Sequence, residues 1–424
     1  MDISRRRFLA GLGATAALAG LAACSASTTS TTAAKATTGS AVLDESLVHT
    51  IAVTVDQAAL KKMLQTYLDS GDKEWIKADV TIDGRSFSDV GIKLKGNSSL
   101  RGVTTETAAE TLPLRIRLDK YVDDQLIDGY GDFTVRANNT TTALNEAVAL
   151  DLLRVAGLAS EKGVFTRYTV NGSAEVLRLT VQNLDDTWLQ EAFPDAGSDS
   201  VLYKSESEGD WSWRGAKGDY STSFDIEAGE DDYEPLIGLL DALHNDTEAE
   251  RTKKLPGLVD LDAFATYLAF EEVIGNFDDI DGPGNNSYLF WNSEPEQFTV
   301  VAWDHNLAFG VSVGGGGRGG GRGGGGGGQP SGRPSGGFGG NGNPDDGGGP
   351  RSRSNPLVTA FKANDEWTAS YDQKLTKLQT SFKSQGALAK ALDARVATLQ
   401  SGASDLVPAD TLTSESDAIR KYAS

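Results

Sequence analysis

The chain is predicted to fold as α+β, with a β-rich N-terminal half and an α-rich C-terminal half. Strand-like runs and two hairpin dipeptides, Asp83-Gly84 and Asn171-Gly172, crowd the stretch before residue 185. Helical periodicity governs 260–274 and the region after Asn355. Between them, residues 271–310 place carboxylates and carboxamides at the ends of apolar segments, an arrangement suited to a hard cation.

In chain order, HTIAVTVD (49–56) has the β-branched composition of a strand, and 57–70 has helical spacing ending at Gly71. Two strand patterns flank Asp83-Gly84, and the second runs into Gly96-Asn97-Ser98-Ser99. Such a string at a strand end either makes a polar turn or brings backbone N–H groups and hydroxyls to phosphate oxygens. The strand pattern 112–118 puts Arg115 and Arg117 on one face, since they are two apart. Residues 143–156 form an apolar helix stopped by Gly157, with Glu146 in the first turn, where the helix dipole favours a carboxylate. A hairpin spans 164–182, and Lys204 lies on the surface or within reach of phosphate. The acidic stretch 211–254 is read as irregular, with one helix around 233–243. Asp260 caps the helix to Ile274; the strands 287–291 and 297–303 follow, and then Asp304. Glycine dominates 314–349, which buries too little apolar surface to offset ordering and is predicted to be disordered.

The N-terminus, MDISRRRFLAGLGATAALAGLAAC, is a targeting segment rather than a domain. Ser4-Arg5-Arg6-Arg7-Phe8-Leu9 resembles a twin-arginine export signal, and Leu21-Ala22-Ala23-Cys24 a lipobox whose cysteine is acylated after cleavage. Cys24 is the single cysteine, so the exported chain forms no internal disulfide and depends on its core. Residues 25–41 read as a flexible tether. Loss of the first 23 residues moves the formal charge from −21 to −23. This acidity excludes nonspecific nucleic-acid binding and docking on anionic lipid by charge. It also opposes a polyanion such as ATP unless cations gather locally. The three histidines are scattered, without the spacing of a zinc site.

Helix, acid-and-amide loop, hairpin and acid, the order within 271–310, resembles the catalytic half of protein kinases, although no HRD, DFG or GxGxxG string is present. Six blocks go further: GIKLKGNSSL, LPLRIRLDKY, LNEAVALDLLRVAGL, GNFDDIDGPGNNSYLF, WDHNLAFG and NPLVTAFKANDEW. In these, and in their order over roughly 91–380, the chain resembles the spore-coat protein H (CotH) family of atypical kinase-like proteins. The resemblance implies a two-lobed kinase-like fold, with an N-lobe over 42–185 and a C-lobe over 186–313 and 350–424. It implies transfer of phosphate from ATP, with Mg²⁺ or Mn²⁺ and with Ca²⁺ also compatible, to serine or threonine in Ser-rich basic protein segments. The chain's own Gly/Arg/Ser tract, with Ser352 and Ser354, is one such segment.

By that resemblance Asp278 is the acid that orients or deprotonates the acceptor, with Asp281 the competing choice, and Asn286 and Asp304 hold metal. Gly96, Asn97, Ser98 and Ser99, with Arg115 and Arg117, cradle phosphates. Glu146 pairs with the strand cation, at the Arg117 position, where relatives commonly carry lysine. Asn306 stands where many relatives have a second acid. Two other readings stay open: a calcium-binding surface protein using DDIDGPGNN, and a non-catalytic adhesin on the same scaffold. For the N-terminus the expectation is a lipid anchor on the outer face of the cell membrane. Cys24→Ala is therefore expected to release the protein from the membrane fraction and abolish lipid labelling; unchanged fractionation would contradict the anchor.

Overall fold

The computed structural model describes residues 41–207, 209–283, 285–311 and 355–423. The export signal with Cys24, the tether up to residue 40, the glycine-rich segment 314–349, and Ser352 and Ser354 lie outside the described residues. Mixed helices and sheets confirm the α+β class.

The first half is built by local punctuation. Strand β1 (Val48–Val55) leads to α1 (Gln57–Ser70), whose N-cap Asp56 accepts from the Ala59 N–H and whose end is turned by left-handed Gly71. Strands β2 (Ile76–Ile82) and β3 (Arg85–Leu94) join through Asp83 and Gly84, φ 48° and 79°, the positive pair that a type I′ hairpin turn requires. Strands β4 (Leu114–Arg117) and β5 (Asp132–Val135) follow, then α2 (Leu144–Ala156), β6 (Gly163–Val170) and β7 (Val176–Gln182). These seven strands close a barrel in the order β1-β2-β3-β4-β5-β7-β6, with β1 and β6 parallel. Inward side chains such as Val53, Val80, Ile92, Leu114, Phe133 and Tyr168 fill it. The alternate residues Lys93, Arg115 and Thr134, which are register partners on β3, β4 and β5, face outward.

The chain continues through α3 (Asp186–Ala192), β8 (Val201–Ser205), β9 (Phe224–Gly229), α4 (Glu234–Asn245), α5 (Glu248–Leu258) and α6 (Leu261–Ile274). The hairpin β10 (Ser287–Asn292) and β11 (Gln297–Ala302) completes a second sheet, ordered β11-β10-β8-β9. Helices α7 (Pro356–Lys362), α8 (Asp365–Gln379), α9 (Ala387–Gly402) and α10 (Ala409–Arg420) end the described chain. A second core gathers the helices, this sheet and α2 around residues such as Leu150, Phe264, Phe270, Leu289 and Leu392. No helix among the described residues is long and apolar enough to cross a membrane.

Elements that escape the sequence patterns include the following three. β5 has only four residues; β9 alternates Asp225 and Glu227 within an acidic stretch; α5 carries Pro256 and a mostly charged surface. For α5 a signal was present: Thr247 and Glu250 form a capping box.

The turn at Asp83 also anchors β1. Buried His49 bonds Asp83 through Nδ1 at 2.7 Å and the Asp44 carbonyl through Nε2 at 2.9 Å. Burial opposes the imidazolium, but these bonds outweigh it and raise the His49 pKa. Burial likewise opposes the Asp83 carboxylate, which the bonds from His49 and Thr50 hold below its ordinary value. The His49 contribution is complete below its unfolded pKa of about 6.5 and is lost as pH rises through the folded value; the Asp83 contribution is lost as pH falls through its own. The stability advantage of the wild type over His49→Gln, measured by denaturant titration, is therefore expected to shrink as pH rises above about 6.5. A gap that is constant from pH 5 to 9 would contradict the pair.

Candidate active site

The site begins with an arginine that immediately follows β5. Arg136 donates its backbone N–H to the Leu179 carbonyl, which extends the strand by one bond and fixes where the side chain leaves the barrel. Its buried guanidinium lies 2.6 Å from Glu146 and 3.4 Å from Asp304, and stacks over Trp303 at 4.7 Å. Thus β5, the first turn of α2 and the segment after β11 meet at one charge. Burial opposes the guanidinium's charge, yet Asp304, Glu146 and Glu161 raise its pKa further. Burial, Asp304 and Glu161 together push Glu146 up, against the pull of Arg136. The helix glutamate is thus paired, but with Arg136 rather than the predicted Arg117, because Arg117 sits elsewhere on the barrel against Asp119 at 2.8 Å.

The start of α2 is held unusually firmly. Ala143 at its N-cap has φ 53°, and Thr140 and Thr142 hydroxyls accept the N–H groups of Ala143 and Leu144. Glu415 on α10 accepts both the Thr141 and Thr142 N–H groups. From the same turn, Asn145 donates to the Asn306 carbonyl at 2.6 Å. That bond locks the Asp304 segment to the helix that carries Glu146.

Asp304 itself has φ 65°, a left-handed conformation that is strained for a residue with a Cβ and that clusters at functional sites. Its neighbours explain how the strain is held. Trp303 packs on Arg136 and Tyr288, while His305 turns into the core and bonds Glu271 at 3.1 Å. Glu271, near the end of α6, also accepts from Asn276 at 2.8 Å. His305, Glu271 and Asn276 are all buried, so one hydrogen-bonded set ties the Asp304 segment to the loop leading to Asp278. Burial disfavours the imidazolium of His305, but Glu271 raises its pKa.

In that loop Asn286 donates to Asp278 at 3.1 Å. Asp281, the competing acid, points elsewhere: it accepts from the Asn355 N–H at 3.0 Å and lies 3.4 Å from Lys362, fastening the loop to the start of α7. Asp279 accepts from the Asp281 N–H, and Asn285, at φ 52°, donates to the Glu206 carbonyl. The DDIDGPGNN acids are therefore used largely to shape the loop. Among the described residues no three His, Cys, Asp or Glu side chains are grouped as a self-sufficient metal site.

A divalent ion shared with phosphates makes a smaller demand, usually one or two carboxylates plus substrate and water oxygens. The donor set fits this. Asp304 Oδ1 faces Arg136 at 3.4 Å without accepting a hydrogen bond, and the acidic side chains Glu146, Asp304, Glu161 and Glu271 outnumber the basic ones, Arg136 and His305.

The Gly96–Ser99 turn directly follows Lys95, whose amine lies over the Trp303 ring at 6.0 Å. Gly96 has φ 94°, and a Cβ there would lie 2.2 Å from the Ser99 hydroxyl, so only glycine makes this turn without displacing that side chain. Asn97 bonds Lys73 at 2.8 Å and also Ser207, just beyond β8. Arg115 contacts Asp132 at 2.7 Å and Glu227 at 3.3 Å. Of the residues expected at the site, Glu146 and Asp304 meet through Arg136, and Asn286 bonds Asp278 directly. Arg115 and Arg117 are engaged by protein acids, and Asn306 contributes its carbonyl. Sequence reasoning missed Arg136, Glu271, His305 and Lys95.

With this geometry in hand, the family model described as CotH kinase protein matches residues 92–411, three quarters of the chain. The chain belongs to the CotH kinase family. The match spans β3, Arg136, α2, the Asp278 loop, Asp304 and the C-terminal helices. No curated protein matches the chain.

Removing the central cation leaves buried carboxylates unpaired. Arg136→Met is expected to cost about 3–5 kcal/mol in denaturant-derived stability, and adding Glu146→Leu to recover a substantial part of that loss. A double variant no more stable than Arg136→Met would contradict the coupling.

Proposed function

We propose that this CotH-family chain is an atypical protein kinase that transfers the γ-phosphoryl group of ATP to serine or threonine hydroxyls with the help of a divalent cation. The observation that carries the proposal is the convergence on Arg136 of a helix glutamate, Glu146, and a post-hairpin acid, Asp304. A strand cation paired with a helix acid, next to a metal-binding acid, is the arrangement that phosphoryl transfer uses in kinases. In this reading the β-barrel serves as the N-lobe, and the helical core with the second sheet as the C-lobe.

Asp278 accepts the proton of the substrate hydroxyl as its oxygen attacks the γ-phosphorus, and the bond to the β–γ bridging oxygen breaks to release ADP. Asn286 keeps Asp278 oriented through their hydrogen bond, and Asn286 and Asp304 are the residues that would hold Mg²⁺ or Mn²⁺. The cation supplies charge neutralisation on the β- and γ-phosphoryl oxygens. The Gly96–Ser99 turn offers backbone N–H groups and hydroxyls to the phosphates. Asp281 is assigned to holding the loop, because its carboxylate is occupied by Asn355 and Lys362.

The substrates proposed are Ser-rich basic segments of surface or coat-type proteins. They are attracted by a chain of net charge −21 and include Ser352 and Ser354 of the chain itself. Export and lipid anchoring through Cys24 would place the reaction at the outer face of the membrane.

Asp304→Ala is expected to keep the fold, since Arg136 retains Glu146, while removing metal-dependent ATP binding and lowering labelled-phosphate incorporation by a factor on the order of 10² or more. Calorimetric titration with Mg-ATP and a filter-binding assay measure the two effects. A variant that binds and turns over like the wild type would sink the assignment.

A further inference from the structure

Three backbone positions with positive φ, on two separate segments, meet at one side chain. Gly275, φ 66°, ends α6 and opens the loop to Asp278; Phe309, φ 59°, and Gly310, φ 73°, close the turn that follows Asp304. Half-buried Tyr422 packs against all three. Its ring lies 5.7 Å from that of Phe309, edge to face. A Cβ on Gly275 would lie 3.0 Å from Tyr422 Cε1, and one on Gly310 would lie 2.6 Å from the Tyr422 hydroxyl. Both glycines thus meet two demands at once, a positive φ and a close approach by the same ring. The position of that ring comes from α10. Leu412, Ser416 and Ile419 are buried along one face of the helix, and Tyr422, three residues on, continues that face into the turn Lys421–Ala423. Glu415 on the same helix accepts the Thr141 and Thr142 N–H groups ahead of α2. Helix α10 and the turn after it therefore touch the segments that lead to Glu146, to Asp278 and away from Asp304.

We propose that Tyr422 is a positioning residue: its ring is the spacer that sets how far the Asp278 loop stands from the Asp304 segment. As a statement about phosphoryl transfer this rests on the kinase reading; as a statement about packing it rests on the contacts with the two glycines. The acid on the acceptor side and the acid assigned to the metal lie on different segments, which His305, Glu271 and Asn276 tie together by hydrogen bonds. Those bonds draw the segments together and the ring holds them apart, so their spacing is defined in both directions. Reacting groups misplaced by about 1 Å lose on the order of 10² in rate, so a spacer of this kind acts on turnover without touching substrate. The family match ends at residue 411, so Tyr422 lies outside the matched region.

Amide hydrogen exchange reads the spacing directly. The Gly275 and Asn276 N–H groups bond the Glu272 and Glu271 carbonyls, and the Ala308 N–H bonds the His305 carbonyl, so these amides report on the two segments. In the full chain, Tyr422→Ala is expected to raise exchange at these three amides by about 10-fold or more, while the barrel amides of β1 and β2 keep their protection. Tyr422→Phe, which keeps the ring, is expected to match the wild type. In labelled-phosphate assays Tyr422→Ala is expected to lower kcat by about 10-fold with KM for ATP within about twofold of the wild type, and Tyr422→Phe to restore turnover. Unchanged exchange in Tyr422→Ala, a rise shared by the barrel, or full turnover alongside raised exchange would overturn the proposal. A wild-type protein that transfers no phosphate would remove the kinase reading instead, and the exchange pattern alone would then decide for or against the spacer.

Discussion

A single buried guanidinium organises the candidate site. Arg136 emerges from a barrel strand and satisfies a helix acid and a loop acid at once, over the face of Trp303. A buried charge without partners is costly, so each of the three elements is held near the others by the cost of separating them. The α2 helix, through Glu146, therefore reports its position to Asp304. The bond from Asn145 to the Asn306 carbonyl couples the same two elements a second time.

The rest of the molecule supports that junction from outside. Arg395 on α9 reaches Asp151 on α2, Glu45 before β1 and the Gly163 carbonyl on β6, so that the helical core grips α2 and the barrel together. Glu415 on α10 holds the segment that leads into α2 by the Thr141 and Thr142 N–H groups. Beneath Asp304, the set of His305, Glu271 and Asn276 carries the restraint across to the loop of Asp278 and Asn286. The strain at Asp304, φ 65°, is thus held on both sides: by Trp303 packed on Arg136 and Tyr288, and by His305 bonded to Glu271.

What was legible in the sequence was whatever local chemistry decides. Asp83-Gly84 and Asn171-Gly172 make their hairpins, Asp260 and Gly275 bound α6, and the two strand-like runs before Asp304 form the β10–β11 hairpin. What was hidden depends on partners distant along the chain. Arg136 follows a four-residue strand and meets Asp304 across 168 positions, so neither periodicity nor spacing singles it out, and the family resemblance pointed to Arg117. Asp278 and Asp281 are indistinguishable by type in the sequence, and the bond from the Asn355 N–H to Asp281 joins positions on either side of the glycine tract.

The central claim is that Asp304 and Asn286 hold a divalent ion between the Arg136 junction and the acceptor-side acid. Anomalous diffraction from crystals grown with Mn²⁺ and a non-hydrolysable ATP analogue tests it most directly. The account predicts a manganese peak within coordination distance of Asp304 and Asn286, bridged by phosphate oxygens. A peak among Asp279, Asp281 and Pro283 with no density at Asp304, or nucleotide bound without metal, would contradict it.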